Sequence, residues 1–343
     1  MDTSVKQIVF TAVNQAELID TPADVLGDHS VRVKTAFSTV SCGTERANIT
    51  GDPNVGINTP YDPPVVFPRT SGYSSTGIVV ECGKDVKSVV PGDRVVVYWG
   101  KHKNFNTVDE KNVVKISDDR ISLEEAAISF IATFPLAAIR KTRLEIGEAA
   151  LVMGQGLLGQ LAVKLLRAAG AAPIIVADLV PERRAQALEI GADYALDPSE
   201  EGFAERVKEI SGGGVPVCIE VTGVGKGFDQ ALDCMARFGR IALLGCTRDK
   251  NFTIDYYRKI HGPGITVIGA HTVARPEEES HPGWFTHRDD ISAVLRLCAS
   301  GRMNLREMIA QTYSPADCSA VYDRLVSDRS FPTVVQFDWS RLP

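Results

Sequence analysis

Residues 154 to 159 read Gly-Gln-Gly-Leu-Leu-Gly, a G-x-G-x-x-G run. Such a run has chemical meaning only where a strand precedes it and a helix follows. Both are expected here, because Ala149 to Met153 is an apolar strand-like run and Leu157 to Ala169 follows a helical pattern. In that setting Gly154 permits a tight turn, Gly156 lets backbone approach a pyrophosphate, and Gly159 lets the helix pack closely on the strand. Gln155, Leu157 and Leu158 complete the loop and first turn, where free N–H groups and the positive dipole end face the phosphates. Asp178 ends the next strand, 19 positions after Gly159. An acidic side chain there accepts hydrogen bonds from ribose hydroxyls and repels a 2′-phosphate, which predicts NAD rather than NADP. The competing role for Asp178 is a cap on the following turn. Arg183 is placed along the adenosine or in solvent. Thr222-Gly223 and Gly245-Cys246-Thr247 end later strands and are expected on the nicotinamide side, since ligands of open α/β sheets sit beyond the carboxyl ends of strands.

The elements that must position these residues come in two rhythms. The first ~120 residues read as short strands with turn punctuation, among them Val31 to Phe37, Gly77 to Glu81, Arg94 to Tyr98 and Asn112 to Ile116. Pro91-Gly92-Asp93 marks a turn between two of them. Ser122 and Glu125 then suggest a capping box for a helix over Glu124 to Lys141, broken near Pro135. From there strands and helices alternate. Strands are expected at Ala149 to Met153, Ile174 to Asp178, Asp193 to Leu196, Val217 to Val221, Arg240 to Gly245 and Ile265 to Ala270. Helices are expected at Leu157 to Ala169, Pro181 to Ile190, Phe203 to Ile210 and Phe228 to Ala236. Parallel strands need crossovers, so this alternation predicts a doubly wound α/β sheet with helices on both faces. After Ala270 come a polar loop, a helix around Asp289 to Ala299, another helix starting at Ser314-Pro315, and a last strand, Thr333 to Phe337. This tail has too little apolar surface to stand alone. The expected division is therefore a discontinuous β domain of residues 1–130 and 272–343 around an α/β domain of residues 131–271.

Bulk properties narrow the function classes. A chain of 343 residues with 44% hydrophobic and 23% charged residues is ordinary globular protein, long enough for two cores. A net charge of −6 argues against nucleic acid as a partner. No apolar run is long enough to span a bilayer. Lys6, Asn14, Gln15 and Glu17 leave no room for a secretory apolar segment. The seven cysteines are odd in number and scattered, which suits buried thiols and a cytoplasmic setting.

Taken together, Cys42-Gly43-Thr44-Glu45, the Gly72 to Gly77 segment, Pro91-Gly92-Asp93-Arg94-Val95, the glycine run and Arg183 through Gly191-Ala192-Asp193 resemble the medium-chain dehydrogenase/reductase superfamily, over nearly the full length. The resemblance implies a GroES-like β-barrel domain, completed by C-terminal segments, beside a Rossmann domain. It also implies hydride transfer between a nicotinamide and a small alcohol or ketone. Zinc-dependent members hold their metal with a cysteine, the histidine of a Gly-His-Glu motif, and a second cysteine or acidic residue. Here Cys42 keeps the first position, Gly72-Tyr73-Ser74 replaces the motif, and Ser129 stands at the later one. One thiolate cannot hold a tetrahedral zinc, so no metal is expected. The stretch from Val96 to Lys115 has no cysteine, so a structural zinc lobe is not expected either. By the same resemblance Thr44 starts the proton path; Tyr73, in the lost histidine's place, is the candidate to hydrogen-bond the substrate oxygen, and Glu45 serves as acid or base if burial raises its pKa, the competing roles being a turn residue, a core residue and a structural ion-pair partner. Backbone near Gly269-Ala270 holds the carboxamide, which brings Ala270, Thr133 and His271 toward the reaction centre.

His281, His287, Arg275, Trp284 and Arg288 share the loop after the last parallel strand, a composition that suits a sugar or polyol. The expected function is thus an NAD-dependent, zinc-independent dehydrogenase of secondary alcohols. Competing readings are a zinc-less NAD(P)H quinone or enoyl reductase, and a nucleotide-binding redox sensor without turnover. Pairing of Ile265 to Ala270 strands in a homodimer or homotetramer is implied by the resemblance alone.

Overall fold

Alternation of Val31, Val33 and Thr35 with Arg32 and Lys34 buries one face of the longest N-terminal strand and leaves the other wetter. The computed structural model describes residues 4–56, 62–246, 250–328 and 330–342. Thr247 lies outside them. The first strands are β1 (Ser4–Ala12), β2 (Gln15–Pro22), β3 (Ser30–Thr39), β4 (Arg69–Thr70), β5 (Ser74–Cys82), β6 (Arg94–Tyr98), β7 (Phe105–Asp109) and β8 (Val113–Lys115). Their pairings are antiparallel, and Val31, Val33, Val79, Val95, Val97 and Val113 form the core between the faces. Helix α1 (Cys42–Ile49) follows β3, and α2 (Leu123–Ala126) follows β8. Ser122 accepts the Glu125 amide at 3.1 Å, but the Glu125 carboxylate accepts Leu305 N instead of closing a capping box.

Next comes α3 (Ser129–Thr142), which contains Pro135 without a break. The expected interruption falls earlier, at residues 127–128, where α2 ends.

The alternating region gives β9 (Ala150–Met153), α4 (Leu157–Ala169), β10 (Ile174–Ala177), α5 (Pro181–Glu189), β11 (Tyr194–Leu196), α6 (Phe203–Ser211), β12 (Val215–Glu220), α7 (Gly225–Asp233), β13 (Met235–Leu243) and β14 (Thr266–Gly269). All six strands are parallel, in the order β11-β10-β9-β12-β13-β14. Every residue of β9 and β10 is buried, the continuous apolar run that a sheet covered on both faces demands. The chain winds outward from β9 in both directions, so the topological switch lies where β9 meets β12. Leu161 and Leu166 of α4 are fully buried, each contributing roughly 1.5–3 kcal/mol by area. Helix α7 starts three residues earlier than Phe228. It gives way to β13 at Met235, inside the stretch expected to stay helical.

Helix α8 (His287–Ala299), β15 (Gln311–Tyr313), α9 (Cys318–Ser327) and β16 (Val335–Asp338) end the chain. β16 pairs with β3, so the C-terminal segment completes the first sheet. Two compact units result: Met1–Ile131 with Ile291–Pro343, and Ala132–Asp290. Residues 272–290 thus group with the α/β unit, not the β unit. Arg275 explains it, because its guanidinium reaches Asp290 at 2.9 Å and the Thr133 carbonyl at 3.0 Å. Among the described residues no helix is long and apolar enough to cross a membrane.

Candidate active site

The turn from β9 into α4 is built as the glycine spacing requires. Gly154 has φ +96°, and a Cβ on Gly159 would lie 1.9 Å from the Gly154 carbonyl oxygen. A Cβ on Gly156 would meet nothing within 4 Å, so space over the N-terminus of α4 is open. Gly156 caps this helix with no side-chain hydrogen bond, leaving the first-turn amides of Leu157, Leu158 and Gly159 for an outside acceptor. Gln155 contributes backbone only. Its side chain is buried, its Nε2 donating to the Val152 and Gly154 carbonyls.

Asp178 braces this turn. One carboxylate oxygen accepts the Gln155 amide at 2.6 Å and the other accepts Val180 N at 2.8 Å. The capping role weighed against ribose binding is therefore present. A carboxylate has about four acceptor positions, so two remain for hydroxyls. Arg184, not Arg183, ties the strand end down, bonding the Asp178 carbonyl at 2.7 Å and Asp197 at 2.9 Å. Arg183 sits half-buried beside it.

Beyond β12, the Glu220 carboxylate gathers Thr222 N at 2.8 Å, the Thr222 hydroxyl and Gly223 N. Burial raises its pKa, and hydrogen bonds from Thr222 and the Gly223 amide oppose the rise. A Cβ on Gly245 would lie 2.4 Å from Gly223 N, so the two loops meet backbone to backbone. Cys246 is exposed at their edge. Ala270 is buried, its amide bonded to Leu243 O at 3.0 Å. His271 is half-buried and its Nδ1 accepts Val273 N at 3.4 Å. Thr133 is fully buried, with its hydroxyl 3.4 Å from His287 Nδ1. Burial, with Arg275 adding to it, pushes His287 down to about 3, so this ring is neutral at ordinary pH.

Of the loop expected to offer histidine, arginine and tryptophan to a ligand, His281, Trp284 and Arg288 are exposed, while Arg275 turns inward. Arg275 is committed to Asp290 and to backbone. Trp284 lies over the Lys141 ammonium, and Phe285 under Arg140.

The first unit holds a separate hydroxyl cluster. Ser41 precedes α1, whose first turn carries Cys42, Thr44 and Glu45. The Tyr73 hydroxyl donates to Ser41 Oγ and lies 3.5 Å from Thr44 Oγ1. Around Tyr73 stand Trp99 and Phe130, with ring centroids 5.6 and 5.7 Å away. Trp99 is 40% exposed and holds φ +58°, an uncommon backbone conformation for a bulky residue.

Glu45 takes no exposed position. Its carboxylate is completely buried, accepting Tyr322 OH at 2.5 Å and Ser41 N at 2.9 Å, with His102 Nε2 at 3.3 Å. Burial pushes this carboxyl up, but the His102 ring and the hydrogen bonds from His102, Tyr322 and Ser41 outweigh it, and the net shift is downward. An acid–base role needs the opposite shift, so Glu45 is a positioning residue that fixes Ser41. His102 in turn meets Ser38 Oγ at 2.7 Å, and Ser38 also accepts Trp339 Nε1 at 2.8 Å. Gly72 makes this possible, since a Cβ there would lie 2.1 Å from His102 N. Ser41, Trp99, His102 and Tyr322 were not legible as site residues. They lie on separate elements, with no motif among them.

The donor set does not fit a catalytic zinc. Cys42 Sγ faces the carbonyls of Val40, Pro332 and Thr333 at 3.6–3.8 Å, and the nearby carboxylate is turned inward to His102. Tyr73 and Ser129 offer neutral oxygens, the latter a buried hydroxyl with no hydrogen-bond partner. Among the described residues, no group of three His, Cys, Asp or Glu side chains could hold a metal.

Comparison with known proteins places the chain. Residues 27–118 match the alcohol dehydrogenase GroES-like domain model and 158–283 the zinc-binding dehydrogenase model, together more than half the sequence. It is 29% identical over 313 residues to (R,R)-butanediol dehydrogenase of Bacillus subtilis (strain 168), covering 82% of this chain and 84% of that one. L-threonine 3-dehydrogenase of Pyrococcus furiosus is 28% identical, covering 88% and 89%. D-guloside 3-dehydrogenase of Escherichia coli (strain K12) is 24% identical, covering 94% and 96%. The crystal structure of 2R,3R-butanediol dehydrogenase from Bacillus subtilis superposes with a TM-score of 0.80 at 25% identity, covering 98% of this chain and 99% of that chain. With the Rossmann-type parallel sheet, the GroES-like domain and these relatives in agreement, this chain belongs to the medium-chain dehydrogenase/reductase superfamily, as an oxidoreductase of the alcohol dehydrogenase type.

Proposed function

We propose that this enzyme interconverts a ring-bearing secondary alcohol, a sugar or polyol derivative, and its ketone, using NAD and no catalytic zinc. The observation that carries the reading is the Tyr73–Ser41–Thr44 hydroxyl cluster, in which Tyr73 holds the position where the resemblance implies a zinc-ligating histidine. Neutral donors in a preorganised setting can stabilise developing oxyanion charge in place of a Lewis acid.

The dinucleotide fits the second unit on its own terms. Leu157, Leu158 and Gly159 amides would take the pyrophosphate over the open space at Gly156, and Asp178 would take the adenosine ribose. The carboxylate charge of Asp178 favours NAD over its 2′-phosphorylated form. When bound, the nicotinamide supplies or receives the hydride. Tyr73 holds the substrate oxygen by a hydrogen bond. In oxidation the alcohol proton passes from that oxygen to Tyr73, whose hydroxyl passes its own to Ser41 or Thr44 and on to water; in reduction Tyr73 returns one. Glu45 keeps Ser41 in place through its amide.

Trp99 supports the ring-bearing substrate. An exposed indole held in an uncommon backbone conformation beside Tyr73 is a stacking surface for a sugar ring. D-guloside 3-dehydrogenase, a relative along nearly the whole chain, carries a ring substrate in its name.

The test is a screen of glycosides, open-chain polyols and simple alcohols with NAD and NADP, run with and without chelator and alongside a metal assay. Chelator-insensitive, NAD-linked oxidation of ring substrates is expected. Activity that needs added zinc, or turnover of apolar alcohols alone, defeats the reading.

A further inference from the structure

A buried lysine ties down the turn that follows β14. Lys141, next to last in α3, is 7% exposed. Its Nζ donates to Gly269 O at 3.1 Å and Ala274 O at 2.6 Å, and lies 4.4 Å from the centroid of the Trp284 ring. One ammonium therefore joins the last residue of β14, the far side of the turn and the loop beyond it. An ammonium has three donors, and here two find carbonyls while a ring face receives the charge. The turn is closed again by Ala274 N on His271 O at 2.8 Å. A buried charge is a costly way to fill space that a methionine could fill, so its position calls for a role in what it holds.

We infer that Lys141 is a positioning residue for the nicotinamide end of the cofactor, fixing the 270–274 backbone against α3. This rests on the reading above, in which the backbone at 269–271 borders the nicotinamide. Charged and titratable groups around this corner are Arg140 on α3, His271, Arg275 and His281 from the loop, and His287 and Asp290 from α8. Burial lowers Lys141 to about 8, with Arg275 pushing the same way and Asp290 opposing. Asp290, raised by burial to about 6, and His287, at about 3, change charge at lower pH. Above pH 8 the clamp loses its charge, and the turn loosens.

The test uses the full-length protein, Lys141→Met and Lys141→Arg. Two readouts are taken: NADH affinity by nicotinamide fluorescence from neutral to alkaline pH, and amide hydrogen exchange at 270–274 without cofactor. In the unaltered protein NADH affinity is expected to weaken about tenfold as pH rises through the Lys141 transition, the scale of a lost charged hydrogen bond. Lys141→Met should be weak at every pH and exchange faster at 270–274. Lys141→Arg should restore affinity and remove the alkaline weakening. Unchanged affinity and exchange in Lys141→Met, or an unchanged pH profile in Lys141→Arg, overturns the inference while leaving the proposed function standing. An unaltered protein that binds no NADH overturns the proposed function, and the inference with it.

Discussion

His102 Nε2 stands 3.3 Å from both carboxylate oxygens of Glu45, and neither side chain has any exposed surface. Removing one partner of such a pair strands the other, at a cost of about 3–5 kcal/mol. His102→Ala is therefore expected to lower unfolding free energy by that amount in denaturant titrations. A loss under about 1 kcal/mol would show that the pair is not what holds Ser41.

The same pair sets an acid limb. The folded pKa of Glu45 lies below its ordinary 4.5, so its stabilisation is full above that value and drains away as pH falls through the folded pKa. Glu45→Gln should flatten the dependence of stability on pH below about 4.5, and leave the neutral-to-alkaline slope alone. An acid limb of undiminished steepness in the variant would assign it to other carboxylates.

Tyr73→Phe keeps the aromatic packing against Trp99 and Phe130 but deletes the hydroxyl. General acid–base contributions run to about 10²–10⁴ in rate, so kcat should fall by that range while stability falls only by the one lost hydrogen bond, about 0.5–1.5 kcal/mol. Steady-state kinetics beside a thermal melt will separate this from misfolding. A kcat within a factor of about three of the unaltered enzyme removes Tyr73 from the proton path.

Asp178→Ala should strike twice, since the carboxylate braces the Gln155 amide and, in the proposed function, takes the adenosine ribose. NADH affinity is expected to drop by about tenfold or more while NADPH affinity holds or rises, each read by fluorescence titration. Equal losses for both cofactors would leave only the bracing role.

Trp99→Ala tests the substrate class. Loss of a stacking ring is worth about 0.5–1.5 kcal/mol beyond its area, so KM for a glycoside should rise by up to about tenfold, with small open-chain diols unaffected. Parallel KM changes for both substrates would mean that Trp99 only supports Tyr73.

What the sequence disclosed followed the range of the physics. The parallel sheet and the β9–α4 turn were legible because each rests on neighbours in the chain: Gly154, Gly156 and Gly159 serve one turn, and continuous apolar runs mark strands buried on both faces. Which of the two roles open to Glu45 applies was not legible because its partners lie far away, His102 at a separation of 57 positions and Tyr322 at 277. Without them burial alone predicts a raised pKa; with them the sign reverses. The 272–290 loop was misassigned on composition, which cannot reveal that Arg275 turns inward to Asp290. Pro135 was tolerated within α3, and the expected break fell instead at the end of α2.

The chain passes from one unit to the other twice, after Ile131 and after Asp290, and both passages lie inside helices, α3 and α8. Dissecting the protein at those points would sever two helical rods and bare terminal amides and carbonyls that now bond within them. A fragment meant to carry the nucleotide lobe by itself must therefore keep both helices whole, from about residue 128 to about residue 300, overlapping its neighbour in sequence.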